Sequence, residues 1–191
     1  LQTLQREVGI TFILVTHDQE EALSMSDLIC IMRDGKIVQS GSPRELYDEP
    51  TSRYVADFVG KTNFFNGIVA ESSDSRVMVK CDSGQMLVGT QPKGTATLAN
   101  GTNASVAVRP EMISISGADK ESNSSSIAIP GQVMNRIFLG EHSEYLVATE
   151  GYGDVMVLTP KYIESTSRSF APGDKVEISW KPEAALILGD A

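Results

Sequence analysis

A chain of 191 residues has room for one or two domains, and with 41% hydrophobic and 21% charged residues it can bury a core rather than stay disordered. Its formal net charge of -9 argues against a nucleic-acid surface, which needs a basic stripe to neutralise phosphates. No apolar run reaches membrane-spanning length and no basic-then-apolar leader opens the chain. The two cysteines, Cys30 and Cys81, stand far apart without metal-ligand spacing, which suits a reducing, cytosolic setting.

Residues 1 to about 60 mix helix and strand. Leu1, Leu4 and Val8 recur at helical spacing and Gly9 stands where a C-terminal cap would. The chain thus opens inside a helix without an initiating Met, which reads as a fragment or a processed form. Phe12-Ile13-Leu14-Val15 is a continuous apolar run after that glycine, the pattern of a parallel strand buried on both faces. Helix followed by buried strand is half of a βαβ unit. Asp18 is then a helix N-cap with Glu21 three residues on, and Glu20 and Glu21 complement the helix dipole rather than act as catalytic carboxylates. Ile29 to Met32 and Ile37 to Gln39 flank Asp34-Gly35, a strong hairpin signal. Ser42-Pro43-Arg44-Glu45 starts another helix, which Pro50 stops, and Tyr54, Val55, Phe58 and Val59 form one face of a last helix before Gly60.

From about Lys61 the pattern changes to short strands separated by Gly, Ser, Asn and Asp clusters, from Phe65–Ala70 through Arg76–Lys80, Met86–Val88 and Ser105–Val108 on to Ile187. Such spacing predicts a barrel or a sandwich. The region also repeats. Gly67-Ile68-Val69 resembles Gly131-Gln132-Val133 at an offset of 64, and Val106-Ala107-Val108-Arg109-Pro110-Glu111 matches Ile178-Ser179-Trp180-Lys181-Pro182-Glu183 at 72. A duplicated small β module is expected, with Ser122 to Ser126 as its flexible connection.

The segment TFILVTHDQEEALSMSD carries the chemistry. It sets His17 at the C-terminal end of the expected strand, directly before a helix start, and in open α/β sheets ligands bind outside the carboxyl ends of strands. An imidazole there could donate to a phosphate oxygen or orient a water; a purely structural histidine at a strand end fits the same residues. The segment ILVTHDQEEALSMSD resembles the switch-histidine motif of ABC-type ATPases. The next stretch, LICIMRDGKIVQSGSPRELYDEPTSRYVADFVG, is similar to the segment after that motif in importers of the sugar, polyamine and ferric-iron group. The resemblance implies that His17 contacts the ATP γ-phosphate. The β region resembles the transport-associated OB-type (TOBE) domain, with VAVRPEMISI as a characteristic element.

The fold class implied is therefore an α/β remnant of a P-loop nucleotide-binding domain over residues 1–60, followed by an all-β OB-like barrel domain over 61–191 with an internal duplication. The resemblance further implies ATP and Mg2+ as cofactors of the full-length protein. Its implied partners are a second copy of itself, transmembrane permease subunits and, indirectly, a substrate-binding protein, at the cytoplasmic face of the bacterial membrane. No G-x-x-x-x-G-K-[ST] loop occurs, nor the glutamine loop, the acidic metal-binding strand or the signature segment that the family places before its histidine, so this chain alone should neither bind nor hydrolyse ATP. Without its sheet neighbours, the segment up to about residue 40 is expected to be disordered, rearranged or covered by a partner. Arg109 and Glu111 read as structural residues at a strand end, with a regulatory contact as the alternative. His142, in LGEHSEY, reads as a solvated histidine at a turn or strand edge. The competing function is a ligand-sensing regulatory β module without catalysis of its own; a plain dimerisation module is the third reading.

Overall fold

The computed structural model describes residues 3, 7–73, 76–118, 126–166 and 169–189. The chain divides into two compact units, Leu1–Gly60 and Lys61–Ala191.

In the first unit, α1 (Gln19–Met25) starts where Asp18 caps it, the carboxylate accepting the Glu21 amide at 3.1 Å. β1 (Ile29–Arg33) and β2 (Lys36–Gly41) pair as an antiparallel hairpin. Its turn residues, Asp34 and Gly35, have φ of 51° and 76°, two consecutive left-handed conformations of the kind a type I′ turn requires. α2 (Pro43–Asp48) opens on a full capping box between Ser42 and Glu45, with Pro43 in the first turn. The hydrogen bonds from Ser42 hold the Glu45 carboxyl below its usual value. α3 (Arg53–Phe58) is capped by Ser52. Ile31, Leu46, Val55 and Val59 form the small core beneath them.

The parallel strand expected at Phe12–Val15 does not form. Residues 10–16 have no regular structure, and Ile13 and Val15 are 90% and 92% exposed. Among the described residues the only sheet of this unit is the antiparallel hairpin, so the α/β remnant expected from the sequence is corrected to a hairpin with short helices. A strand buried on both faces exists only where neighbours supply its backbone partners and its apolar cover. Val8 is helical and Gly9 takes φ 68°, whereas Leu1 and Leu4 lie outside the described residues.

Among the described residues the second unit is all β but for one short α-helix and two 3-10 turns. Its first half contributes β3 (Asn63–Ser72), β4 (Val77–Cys81), β5 (Met86–Gly89), β6 (Asn103–Val108) and β7 (Ser114–Gly117). The second half contributes β8 (Ile127–Phe138), β9 (His142–Thr149), β10 (Gly153–Pro160), α4 (Lys161–Thr166), β11 (Lys175–Trp180) and β12 (Ala185–Gly189). Two five-stranded sheets result, ordered β12-β6-β3-β4-β5 and β10-β9-β8-β11-β7. The halves have exchanged their last strands. β12 completes the sheet of the first half, and β7 completes that of the second.

The repetition read from the sequence recurs as a repetition of register. Gly67 lies opposite Cys81 and Ala104, while Gly131 lies opposite Thr149 and Val176. A bulge follows each glycine, between Val69 and Glu71 and between Val133 and Asn135. A side chain at either glycine would collide with its neighbour strand: a Cβ at Gly67 would lie 2.3 Å from the Lys80 carbonyl oxygen, and one at Gly131 2.6 Å from Val147. Arg109 and Lys181 each lead into a 3-10 turn, Pro110–Met112 and Pro182–Ala184. The connection expected at Ser122 to Ser126 lies, apart from Ser126, outside the described residues.

The first sheet closes on itself. The Thr90 amide donates to the Ala185 carbonyl at 2.9 Å, and the Ile187 amide to the Thr90 carbonyl at 2.8 Å, a parallel bridge joining the end of β5 to β12. This is a closed five-stranded barrel of OB type. One core runs through both halves, from Phe65, Val79 and Val106 to Val147, Val157 and Ile178. At its centre Phe65 stacks on Trp180 at 5.5 Å and meets Tyr152 edge-on.

Candidate functional site

The first candidate is His17. It lies in a bend before α1 and is exposed. Around it the Thr16 hydroxyl donates to the Glu21 carboxylate at 2.8 Å and accepts the Asp18 amide at 3.0 Å, while Asp18 caps the helix. These bonds fix the path of the backbone on either side of His17. They occupy Glu21 in local structure, as its position in the first helical turn suggested. The residues present supply no phosphate cradle: the sequence holds no glycine-rich loop with its lysine, and among the described residues no three of His, Cys, Asp and Glu gather as a metal cluster.

The second unit separates the two residues that the sequence set side by side. Arg109 closes β6 and turns back to the start of β3, donating to the Lys61 carbonyl at 3.2 Å and to the Thr62 hydroxyl. Glu111 sits one turn later, exposed, on the wall of a cavity. His142 is the first residue of β9, its ring 3.9 Å from Glu141 and 4.0 Å from Glu144, and Lys61 pairs with that same Glu144.

That cavity, of about 90 Å³, lies between β7 and β10 beneath α4 and is walled by Ser114, Ile115, Leu158, Ile163 and Phe170. Two of its lining residues, Tyr145 and Glu164, belong to a cluster that the sequence does not announce. Glu164, on α4, accepts hydrogen bonds from the Tyr145 hydroxyl, from Ser143 at 2.9 Å and from Arg136 at 3.0 Å. Burial on its own would raise the Glu164 carboxyl, but these three donors outweigh it and hold the group below the ordinary carboxylate value. Tyr145 is pushed up to about 12, first by burial and then by its bond to Glu164. The Arg136 guanidinium lies over the Tyr145 ring, 5.7 Å from its centre and within reach of a cation–π contact, and its Nε is buried without a hydrogen-bond partner. The four residues come from β8, β9 and α4, and only Ser143 and Tyr145, two apart on the buried face of β9, are linked by a local pattern. The one available signal was Glu164 in the first turn of a helix right after Pro160.

Among the described residues no helix is long and apolar enough to cross a membrane.

Residues 106–188 match the family model of the TOBE domain. The chain is 40% identical over 190 residues to the spermidine/putrescine import ATP-binding protein of Ruegeria pomeroyi, an alignment covering 100% of this chain and 49% of that protein. The protein of the same description from Vibrio parahaemolyticus is 39% identical over 191 residues, covering 100% and 49%. That of Rubrobacter xylanophilus is 35% identical over 189 residues, covering 99% and 48%. The chain thus spans about half the length of the curated relatives it matches. Among solved structures, the cytoplasmic molybdate-binding protein ModG, with molybdate bound, superposes with a TM-score of 0.57 at 16% identity, covering 67% of this chain and 96% of that one. At that identity the likeness speaks for the fold alone.

Proposed function

We propose, on the premise that this chain belongs with the TOBE-bearing ATP-binding subunits of ABC importers, that it forms the switch-histidine region and the accessory domain of an energy-coupling ATPase. The observation that carries this reading is alignment over 190 residues at 40% identity to an import ATP-binding protein, covering the whole chain and so His17 with its flanking segments.

In this reading the work is divided. Segments outside this chain cradle ATP and Mg2+, which supply the reacting phosphate and its charge neutralisation. The chain itself contributes the His17 imidazole, held between the Thr16 turn and the Asp18 cap, to hydrogen-bond a γ-phosphate oxygen or orient the attacking water. Two copies would sandwich the nucleotide and transmit hydrolysis to transmembrane permease subunits at the cytoplasmic face of the membrane, with a substrate-binding protein delivering cargo. Polyamines are the first cargo class to test, because the relatives are described as spermidine/putrescine import proteins. The 191 residues alone should not turn over ATP. In a full-length protein containing this sequence, His17→Ala is expected to lower ATP turnover at least about 100-fold while leaving the circular dichroism and Tm unchanged. Turnover within about twofold of the parent would remove His17 from the reaction.

The cavity under α4 supports a second reading, in which the β domain senses a cytosolic small molecule. Its wall carries Glu111, and Arg109 braces the strand that leads to it. Calorimetric titration of the chain with polyamines, sugars and oxyanions separates sensing from simple dimerisation. Heat of binding that Glu111→Gln abolishes would support sensing; no binding by any class would leave dimerisation.

A further inference from the structure

The two halves of the β domain are built alike, yet only one barrel is zipped shut. In the first, Thr90 makes both hydrogen bonds that join β5 to β12. The registers of the two halves map this seam residue by residue. Val77 faces Gly89 as Tyr145 faces Val157, and Lys80 faces Met86 as Ala148 faces Asp154. Thr90-Gln91-Pro92 therefore corresponds to Leu158-Thr159-Pro160. Across the seam, Ala104 faces Gly189 as Val176 faces Gly117, so Ala185 and Ile187 correspond to Ile113 and Ile115. In the second barrel the partners that should zip are the backbone groups of Leu158, Ile113 and Ile115. All three residues line the cavity, and among the described residues no backbone hydrogen bond joins β7 to β10.

One residue accounts for the difference. Gly89 passes so close to β12 that a Cβ there would lie 2.5 Å from the Ala185 carbonyl oxygen and 2.8 Å from Ile187. Its counterpart is Val157, fully buried in the same core as Ile113, against which the half-buried Ile115 packs. A valine cannot make the approach that the glycine permits, because a contact that short lies inside the repulsive wall. The outward edge of β10 is instead partly stopped by a side chain. Asn63 accepts the Met156 amide at 2.8 Å and donates to the Met156 carbonyl at 2.8 Å, imitating one residue of a neighbouring strand. The next outward-facing position along β10 is Leu158, at the cavity.

We infer that the β7–β10 seam is an unzipped barrel closure propped by Val157, which makes the second barrel the compliant half of the domain and its seam an aperture under α4. The first barrel is the rigid half. Helix α4 follows β10 directly, is tied through Glu164 to Ser143, Tyr145 and Arg136, and lines the aperture with Ile163 and Glu164.

Hydrogen exchange followed by NMR on the whole 191-residue chain tests this. The amides of Thr90 and Ile187 should be protected at least about 100-fold more than those of Leu158 and Ile115, since local opening governs exchange. Equal protection at the two seams would overturn the proposal. In Val157→Gly the Leu158 and Ile115 amides should gain protection as the seam closes; a folded variant with both unchanged would remove Val157 as the prop. Should that variant not fold, Gly89→Ala applies the converse strain. It should lower protection at Thr90 and Ile187 at least about 10-fold while β8–β9 amides keep theirs, and a loss spread evenly over the domain would count against the inference.

Discussion

The first unit leaves its run Phe12 to Val15 in water, while the second gathers its strand residues in one core that runs through both halves. Phe12 is 49% exposed and Phe65 is 4% exposed, though both stand in short apolar runs. The contrast lies in the neighbours. Phe65 sits on a strand bonded on both sides, by β4 and β6, and its ring has Trp180 and Tyr152 against it. Phe12 has no strand beside it among the described residues. An apolar run states a demand for burial, and only the rest of the fold can meet it.

The comparison can be broken most directly by matched truncations. Phe65→Ala should cost about 3–5 kcal/mol in urea unfolding followed by Trp180 fluorescence, whereas Phe12→Ala should stay within about 0.5 kcal/mol for the first unit, read from hydrogen exchange of its buried Leu46 and Val55 amides. A comparable loss at Phe12 would mean that the first unit buries it in a core of its own. Within the second unit, Gly67→Ala should cost about 1–3 kcal/mol, because its Cβ would press on the backbone of β4, and the same measurement resolves it. The smallest expected effect is a pH dependence. The folded Glu164 carboxyl is held below its ordinary value of 4.5, so its contribution is fully present above that pH and is lost as the pH falls through the folded value. The Tm should accordingly fall on acidification below 4.5, and less steeply in Glu164→Gln; equal slopes in the two proteins would show that the cluster does not contribute.

Local signals in the sequence were read correctly where the physics is local. Asp34-Gly35 turns a hairpin because both residues tolerate positive φ, and Ser42 with Glu45 caps a helix through bonds within one turn. The duplication was legible because register and chain spacing repeat together. What escaped depends on residues distant along the chain. The fate of Phe12 to Val15 is decided by neighbours that the run itself cannot supply. The Glu164 cluster draws on β8, β9 and α4, and nothing in the order of Arg136, Ser143, Tyr145 and Glu164 marks them as partners. The exchange of β7 and β12 is equally hidden, since each strand would suit either sheet. For His17 the sequence supplied a position and a resemblance, and the structure adds its exposure and the turn that holds its backbone.

The crossing of the final strands carries a consequence for how the polypeptide is made. The sheet that begins at Asn63 waits for Ala185–Gly189 before its last edge is covered. A ribosome must therefore reach that late segment before the earlier barrel can shut, and until then β6 offers a bare flank to other nascent chains. Clipping those five residues would injure the half of the domain synthesised first, leaving the half synthesised last with its full complement of strands.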